Sequence, residues 1–180
     1  MDAIIDGRAL ARTTRREPTL SFMDRSHGLR GAPVVAIFDD DIAYIRAVER
    51  MLRLGGFASC PITTFDVDEA ARVIAEAGCR AVLVDIFLYD EPRGFSCIER
   101  LRAVEATANL PLVVTSGAHR EIQRMAPFLA AHRCELLEKP FGPDELLAKL
   151  RFVTSQPMDP RPSLTGLPRY RAPGESLLQV

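Results

Sequence analysis

Short apolar runs that stop abruptly on polar residues constrain this chain more than any other feature. The run Ala81–Val84 stops on Asp85. It is too short for a helix and reads as a buried strand. Val34–Phe38 stops on Asp39, Asp40 and Asp41, Leu112–Thr115 stops on Ser116, and Leu136 and Leu137 precede Lys139. In an open parallel sheet, chemistry collects outside the carboxyl ends of the strands. Four strand ends would then deliver carboxylates, a hydroxyl and an ammonium to one edge.

Segments of helical period separate the runs. Asp41 predicts an N-cap for a helix to about Leu54, with Ile42, Ile45, Val48 and Leu52 inward and Gly55 and Gly56 at its end. Ser59–Phe65 reads as a second strand. Asp66 followed by Glu69 predicts a capping box that opens a helix to about Ala77, stopped by Gly78. After the loop from Tyr89 to Gly94, Phe95, Ile98 and Leu101 share a helix face. Pro111 opens the strand Leu112–Ser116. Gly117 turns it into a helix near Arg120–Ala130, with Ile122, Met125 and Leu129 inward. Cys134–Leu137 is the last strand. Pro143 sits at the first position of a closing helix, with Leu146, Leu147 and Leu150 inward. Strand and helix alternate five times, which predicts a parallel sheet covered by helices on both faces, with right-handed crossovers.

Composition narrows the function. A chain of 180 residues with 47% hydrophobic content suits one domain with tails. Its formal net charge of −1 gives no pull toward nucleic acid or a membrane surface. Cys60, Cys79, Cys97 and Cys134 are scattered, so reduced thiols in a cytoplasmic protein are expected. No long apolar run opens the chain, so neither a signal peptide nor a membrane span is expected. Residues 1–32 read as a mobile, arginine-containing extension, with Met23 as an alternative start. The domain then occupies residues 33–154. Residues 155–180 read as a Pro-rich disordered tail. His119 and His132 are expected at the surface.

The strand-end residues suggest a chemistry. Carboxylates gathered at adjacent strand ends repel, and a hard cation such as Mg²⁺ relieves that repulsion. Mg²⁺ keeps several waters and takes one or two carboxylates, which leaves coordination open to a phosphoryl group. Lys139 and Ser116 would hold the phosphoryl oxygens.

These stretches resemble the receiver domain of bacterial response regulators. VVAIFDDD (Val34–Asp41) resembles the acid-pocket strand and VLVDI (Val82–Ile86) the phosphoacceptor strand. PLVVTSG (Pro111–Gly117) resembles the Ser/Thr strand, and EKPF (Glu138–Phe141) the lysine strand. The resemblance implies a flavodoxin-like three-layer α/β sandwich with a five-stranded parallel sheet in the order 2-1-3-4-5. It implies phosphorylation of Asp85, direct Mg²⁺ binding by Asp40, help from Asp39 through water, and the Phe87 backbone carbonyl as a further ligand. It also implies Ser116 and Lys139 on the phosphoryl group. The donor would be a histidine kinase or a phosphotransfer protein. The output would be a contact with a downstream protein, with a homodimer left open. The chain would act only on itself and not as a conventional enzyme.

Three positions depart from the family pattern. Tyr89 stands where receivers usually carry Pro, Gly94 arrives one residue late, and Leu136 replaces the usual aromatic. Phe87 and Ala118 flank the expected path of the hydrolytic water, and neither orients a water, so a long-lived phosphorylated state is expected. Leu136 has no ring to swing inward, so the conformational signal is expected from residues 117–130. The main alternative is a receiver-like interaction module that works without phosphorylation. A flavodoxin-like small-molecule enzyme is disfavoured by the lack of a Gly-rich loop after the first strand. A DNA-binding effector is disfavoured by the few residues after 155.

Overall fold

The computed structural model describes residues 31–64, 66–117 and 119–156, and the side chains of 119–123 are outside that description. Ten elements alternate: β1 Val34–Phe38, α1 Ile42–Leu54, β2 Ala58–Ile62, α2 Val67–Glu76, β3 Cys79–Asp85, α3 Gly94–Ala103, β4 Leu112–Ser116, α4 His119–Ala131, β5 Cys134–Glu138 and α5 Pro143–Ser155. The strands pair in parallel in the order β2-β1-β3-β4-β5. This is the flavodoxin-like arrangement.

The central strands are buried on both faces, and their alternating side chains feed two separate cores. Ala36, Phe38, Val82, Val84 and Val114 pack with Ile74, Ile98, Leu101 and Met125 beneath α2, α3 and α4. Val35, Ile37, Leu83 and Val113 pack with Val48, Leu52, Leu146 and Leu150 beneath α1 and α5. A Cβ on Gly55 would overlap the Leu147 side chain, so a larger residue at this helix end would force Leu147 to shift.

Several expectations need correction. Ile42 is 66% exposed, while Tyr44 and Ile45 of the same turn face the core. β2 spans Ala58–Ile62 rather than reaching 65, and Phe65 lies outside the described residues. The capping box at α2 forms by half. Asp66 accepts from the Asp68 and Glu69 amides, but the Glu69 carboxylate takes the Thr64 hydroxyl at 2.8 Å instead of the Asp66 amide. His132 is 2% exposed, packed on the Phe128 ring at 4.1 Å between centroids. α4 also runs through Pro127, which supplies no amide to the helix ladder. The expectations for residues 1–30, Ala118, the His119 and Ile122 side chains, and the Pro-rich segment from 157 lie outside the described residues.

Candidate phosphoryl-acceptor site

Parallel register brings the strand ends together. Phe38 at the end of β1 pairs with Val84, Asp85 pairs with Thr115, and Ser116 pairs with Glu138. The polar residues that follow these positions therefore meet at one edge.

Asp39 is 4% exposed and its two oxygens are both engaged. Oδ1 accepts from the Asp41 amide at 2.9 Å, and Oδ2 accepts from Lys139 Nζ at 3.0 Å. Asp85 Oδ2 accepts from the same Nζ, also at 3.0 Å, while Oδ1 takes a long contact of 3.4 Å from the Phe87 amide. Lys139 thus bridges the ends of β1 and β3. Burial pushes the Asp85 carboxyl above the usual range; the Lys139 ammonium pulls it down and the Asp39 charge pushes it up again.

Asp40 points to another partner. Its Oδ2 accepts from the Tyr89 amide at 3.1 Å and ties the β3–α3 loop to the acid pocket. Asp41 is exposed and caps α1 through the Ala43 and Tyr44 amides, at 2.8 and 3.1 Å. Of the three consecutive aspartates, Asp41 caps α1, Asp39 meets Lys139, and Asp40 meets the loop after β3. Ser116 is fully buried, and its carbonyl accepts from the Lys139 amide at 2.8 Å, which joins the ends of β4 and β5. The expected site residues Asp39, Asp85 and Lys139 are in contact; Asp40 meets the Tyr89 amide, and Ser116 meets Lys139 through backbone.

The loop after Asp85 accounts for the late glycine. Leu88 and Glu91 exchange both backbone hydrogen bonds, at 2.9 and 3.2 Å, around Tyr89 and Asp90. Both central residues have positive φ, 55° and 59°, as a type I′ turn requires. The extra residue is absorbed in this turn. Gly94 then donates to the Ile86 carbonyl at 3.0 Å, and a Cβ there would overlap the Asp85 carbonyl oxygen. Phe87 is half-buried and its ring packs against the core beneath α2–α4, so part of it is committed to packing. Leu136 packs on that same core.

Sequence reasoning missed Tyr44. Its ring face carries Lys139 Nζ at 3.7 Å from the centroid. Burial raises its phenol well above the ordinary range; Thr115 beside it lowers it, and the Asp39 and Asp85 charges raise it further. The available signal was its place three residues after the cap Asp41, in the turn that leaves the acid strand.

Comparisons with known proteins identify the family. The model of the response regulator receiver domain matches residues 35–151. The chain belongs to the receiver-domain family. The regulatory protein VirG of Agrobacterium fabrum is 28% identical over 127 residues, covering 69% of this chain and 48% of that protein. The transcriptional regulatory protein PrrA of Mycobacterium tuberculosis is 33% identical over 122 residues, covering 68% and 50%. The chain spans about half the length of these curated relatives. A sensor protein from Polaromonas matches with a TM-score of 0.58 at 29% identity, over 68% of this chain and 95% of that one. The receiver domain of a sensor histidine kinase from Pseudomonas aeruginosa, crystallised with magnesium in its active-site cleft, matches with a TM-score of 0.58 at 21% identity, over 69% and 99%. This receiver domain is therefore a module of two-component signalling. No helix among its described residues is long and apolar enough to cross a membrane.

Proposed function

We propose that this receiver accepts a phosphoryl group on Asp85 from a histidine kinase or a phosphotransfer protein and signals through protein contacts. The supporting observation is the single ammonium of Lys139 held 3.0 Å from both Asp39 and Asp85. A lysine in that position stands ready for the charge that a phosphoryl group brings to Asp85.

Mg²⁺ fits the chemistry of the donors. Asp39, Asp40 and Asp85 offer hard carboxylate oxygens, and Lys139 balances only part of their charge. Among the described residues no three such side chains are already gathered as a metal cage. None is required, because Mg²⁺ takes one or two carboxylates and fills the rest with water. Asp40, Asp85 and the Phe87 carbonyl would be its ligands, with Asp39 acting through water. When bound, it would neutralise charge on the transferring phosphoryl group.

An Asp85 oxygen attacks phosphorus in line with the bond to the donor histidine. The P–N bond breaks, its electron pair stays on the imidazole, and the phosphoryl oxygens rest on Lys139 and the Ser116 hydroxyl. Water later cleaves the acyl phosphate. Phe87 beside Asp85 slows that step, and Phe87→Asn accelerates loss of phosphate. A second reading is an interaction module that does not depend on phosphorylation. It draws on the engagement of Asp40 with the Tyr89 amide. The test is Mg²⁺-dependent labelling by a small acyl phosphate. Wild type should acquire hydroxylamine-sensitive label, Asp40→Ala should need more Mg²⁺, and Asp85→Asn should stay unlabelled. Label on Asp85→Asn at the wild-type rate would remove Asp85 as acceptor.

A further inference from the structure

Three elements converge on one nitrogen. Asp39 follows β1, Asp85 ends β3, and Tyr44 lies in the first turn of α1. Lys139 Nζ sits 3.0 Å from a carboxylate oxygen of each aspartate and 3.7 Å from the centroid of the tyrosine ring. The ring itself is fixed. Phe141 meets it edge-on, with centroids 6.2 Å apart and planes at 78°. The Asp41 carboxylate accepts from the Tyr44 amide at 3.1 Å. The Tyr44 hydroxyl is buried, with Thr115 beside it.

We propose that Tyr44 is a positioning residue for Lys139, whose aromatic face holds the ammonium between Asp39 and Asp85. The proposal rests on reading Asp85 as the phosphoryl acceptor. Lysine needs such help more than arginine does. Its charge rides on a flexible four-carbon stem without a planar fork to fix it. Two carboxylates alone leave the ammonium free to swing between them or out to water, since the Lys139 side chain is still 22% exposed. An aromatic face closes the open side.

The chemistry of that third contact matters. A third carboxylate there would hold the lysine but repel an incoming phosphoryl group. A ring attracts the cation through its quadrupole and carries no net charge. The ammonium can then turn from the Asp85 oxygen to a phosphoryl oxygen while staying over the ring. The ammonium meets the ring face and not the phenol O–H, so the ring is the working part.

The chain has two lysines, Lys139 and Lys149, which makes the contact directly observable. Lys149 pairs with Glu135 at 2.9 Å and serves as an internal reference. With lysine-selective ¹³C labelling, the Lys139 side-chain methylene nearest the ammonium should resonate upfield of that of Lys149. Tyr44→Phe should keep the upfield shift, while Tyr44→Leu and Tyr44→Met should lose it. Labelling by a small acyl phosphate with Mg²⁺ should slow about tenfold in Tyr44→Leu and Tyr44→Met. Tyr44→Phe should recover most of that rate. Two non-aromatic variants keep the test valid if one fails to fold. An unchanged Lys139 resonance in both of them would overturn the proposal. So would a lost shift with an unchanged rate, or a Tyr44→Phe protein that behaves like Tyr44→Leu. If wild type takes no label, the acceptor reading fails, and the resonances alone still decide whether the ring holds the lysine.

Discussion

A cation stands at each edge of the sheet, Lys139 part-buried and Arg102 buried, and the two are held in opposite ways. At the carboxyl edge, Lys139 bridges two carboxylates and rests on a ring. At the amino edge, Arg102 is 4% exposed and donates to four backbone carbonyls. These are His132 at 2.8 Å, Ala108 at 3.0 Å, Leu110 at 2.7 Å and Arg133 at 3.2 Å. They belong to the connection between α3 and β4 and to the turn between α4 and β5. The guanidinium fork is planar and permanently charged, and its partners are neutral. Nothing that happens to a phosphoryl group changes those partners. On the proposed reading, phosphorylation of Asp85 would change the charge of one of the two carboxylates that Lys139 meets. One edge is stitched shut and the other is left to be re-partnered.

Breaking the amino edge should have the largest effect. Arg102→Leu leaves four carbonyls without their donor and should cost about 3 kcal/mol or more of unfolding free energy. Arg102→Lys should recover little, because one ammonium cannot reach both loops. Urea unfolding midpoints measure this, and a loss under about 1 kcal/mol would break the comparison.

The carboxyl edge should respond with the opposite sign. Burial, reinforced by Asp39 and opposed by Lys139, raises the Asp85 carboxyl above its usual range. A raised carboxyl means that the ionised form weighs against folding. Its protonated form is favoured at low pH, and that gain is lost as pH rises through the folded-state value. Asp85→Asn imitates the neutral form at every pH. It should raise stability at neutral pH by roughly 0.5–2 kcal/mol while abolishing phosphoryl acceptance. A destabilised Asp85→Asn protein would show that the carboxylate contributes more as a partner for Lys139 than it costs by its burial.

The sequence made the two edges unequally legible. Strands buried on both faces are continuous apolar runs, so β1, β3 and β4 could be read directly, and the polar residues that ended them marked the pocket. The alternation of strand and helix made the parallel sheet legible, and the order of its strands came from the resemblance to receivers. Arg102 could not be singled out, because Arg100 stands two positions earlier in the same helix and instead pairs outside with Asp68 at 2.7 Å. Local pattern does not separate a guanidinium that reaches two distant loops from one that meets a neighbouring helix. His132 looked like a surface residue for the same reason, since its burial depends on Phe128 and on Arg102. Tyr44 was missed because aliphatic periodicity defined the inner face of α1, and Lys139 arrives above that face from the far end of the chain. Ile42 was misjudged because Tyr44, not Ile42, fills the inner face in the first turn of α1.

His132 is the group that can bring charge change to the stitched edge. Neither ring nitrogen has a hydrogen-bond partner among the described residues. Burial, and after it the Arg102 charge, holds the imidazole below its ordinary value of 6.5. As pH falls below about 6.5, the unfolded chain takes up a proton that the folded chain resists. Stability is then complete above that pH and is lost as the pH falls toward the folded-state value. His132→Phe keeps a ring against Phe128 and should flatten this part of the profile. Denaturant midpoints at pH 5 and pH 7.5 should differ more in wild type than in the variant. Equal differences would assign the acid sensitivity elsewhere.

The smallest expected effect compares strain at the two edges. Arg133, just past α4, has φ of 50°, and Tyr89 has φ of 55°. Both are left-handed positions that glycine adopts without a Cβ penalty. Arg133 keeps its carbonyl on Arg102, and a glycine there would still supply that carbonyl. Arg133→Gly therefore removes strain at a helix C-terminus where glycine is the usual residue, and it should gain up to about 1 kcal/mol. Tyr89→Gly relieves a similar strain and keeps the amide that Asp40 accepts. It also removes the ring 5.9 Å from the Arg93 guanidinium and loosens a turn that has only one bridge. Its net gain should be smaller, about 0.5 kcal/mol or less, because the added freedom of the unfolded chain and the lost ring contact offset the relief. If Tyr89→Gly gains more than Arg133→Gly, the functional edge holds the greater strain and the stitched edge is the relaxed one. If Arg133→Gly gains more, strain at the pocket is no larger than at an ordinary helix end, and the difference between the edges lies wholly in how their two cations are partnered.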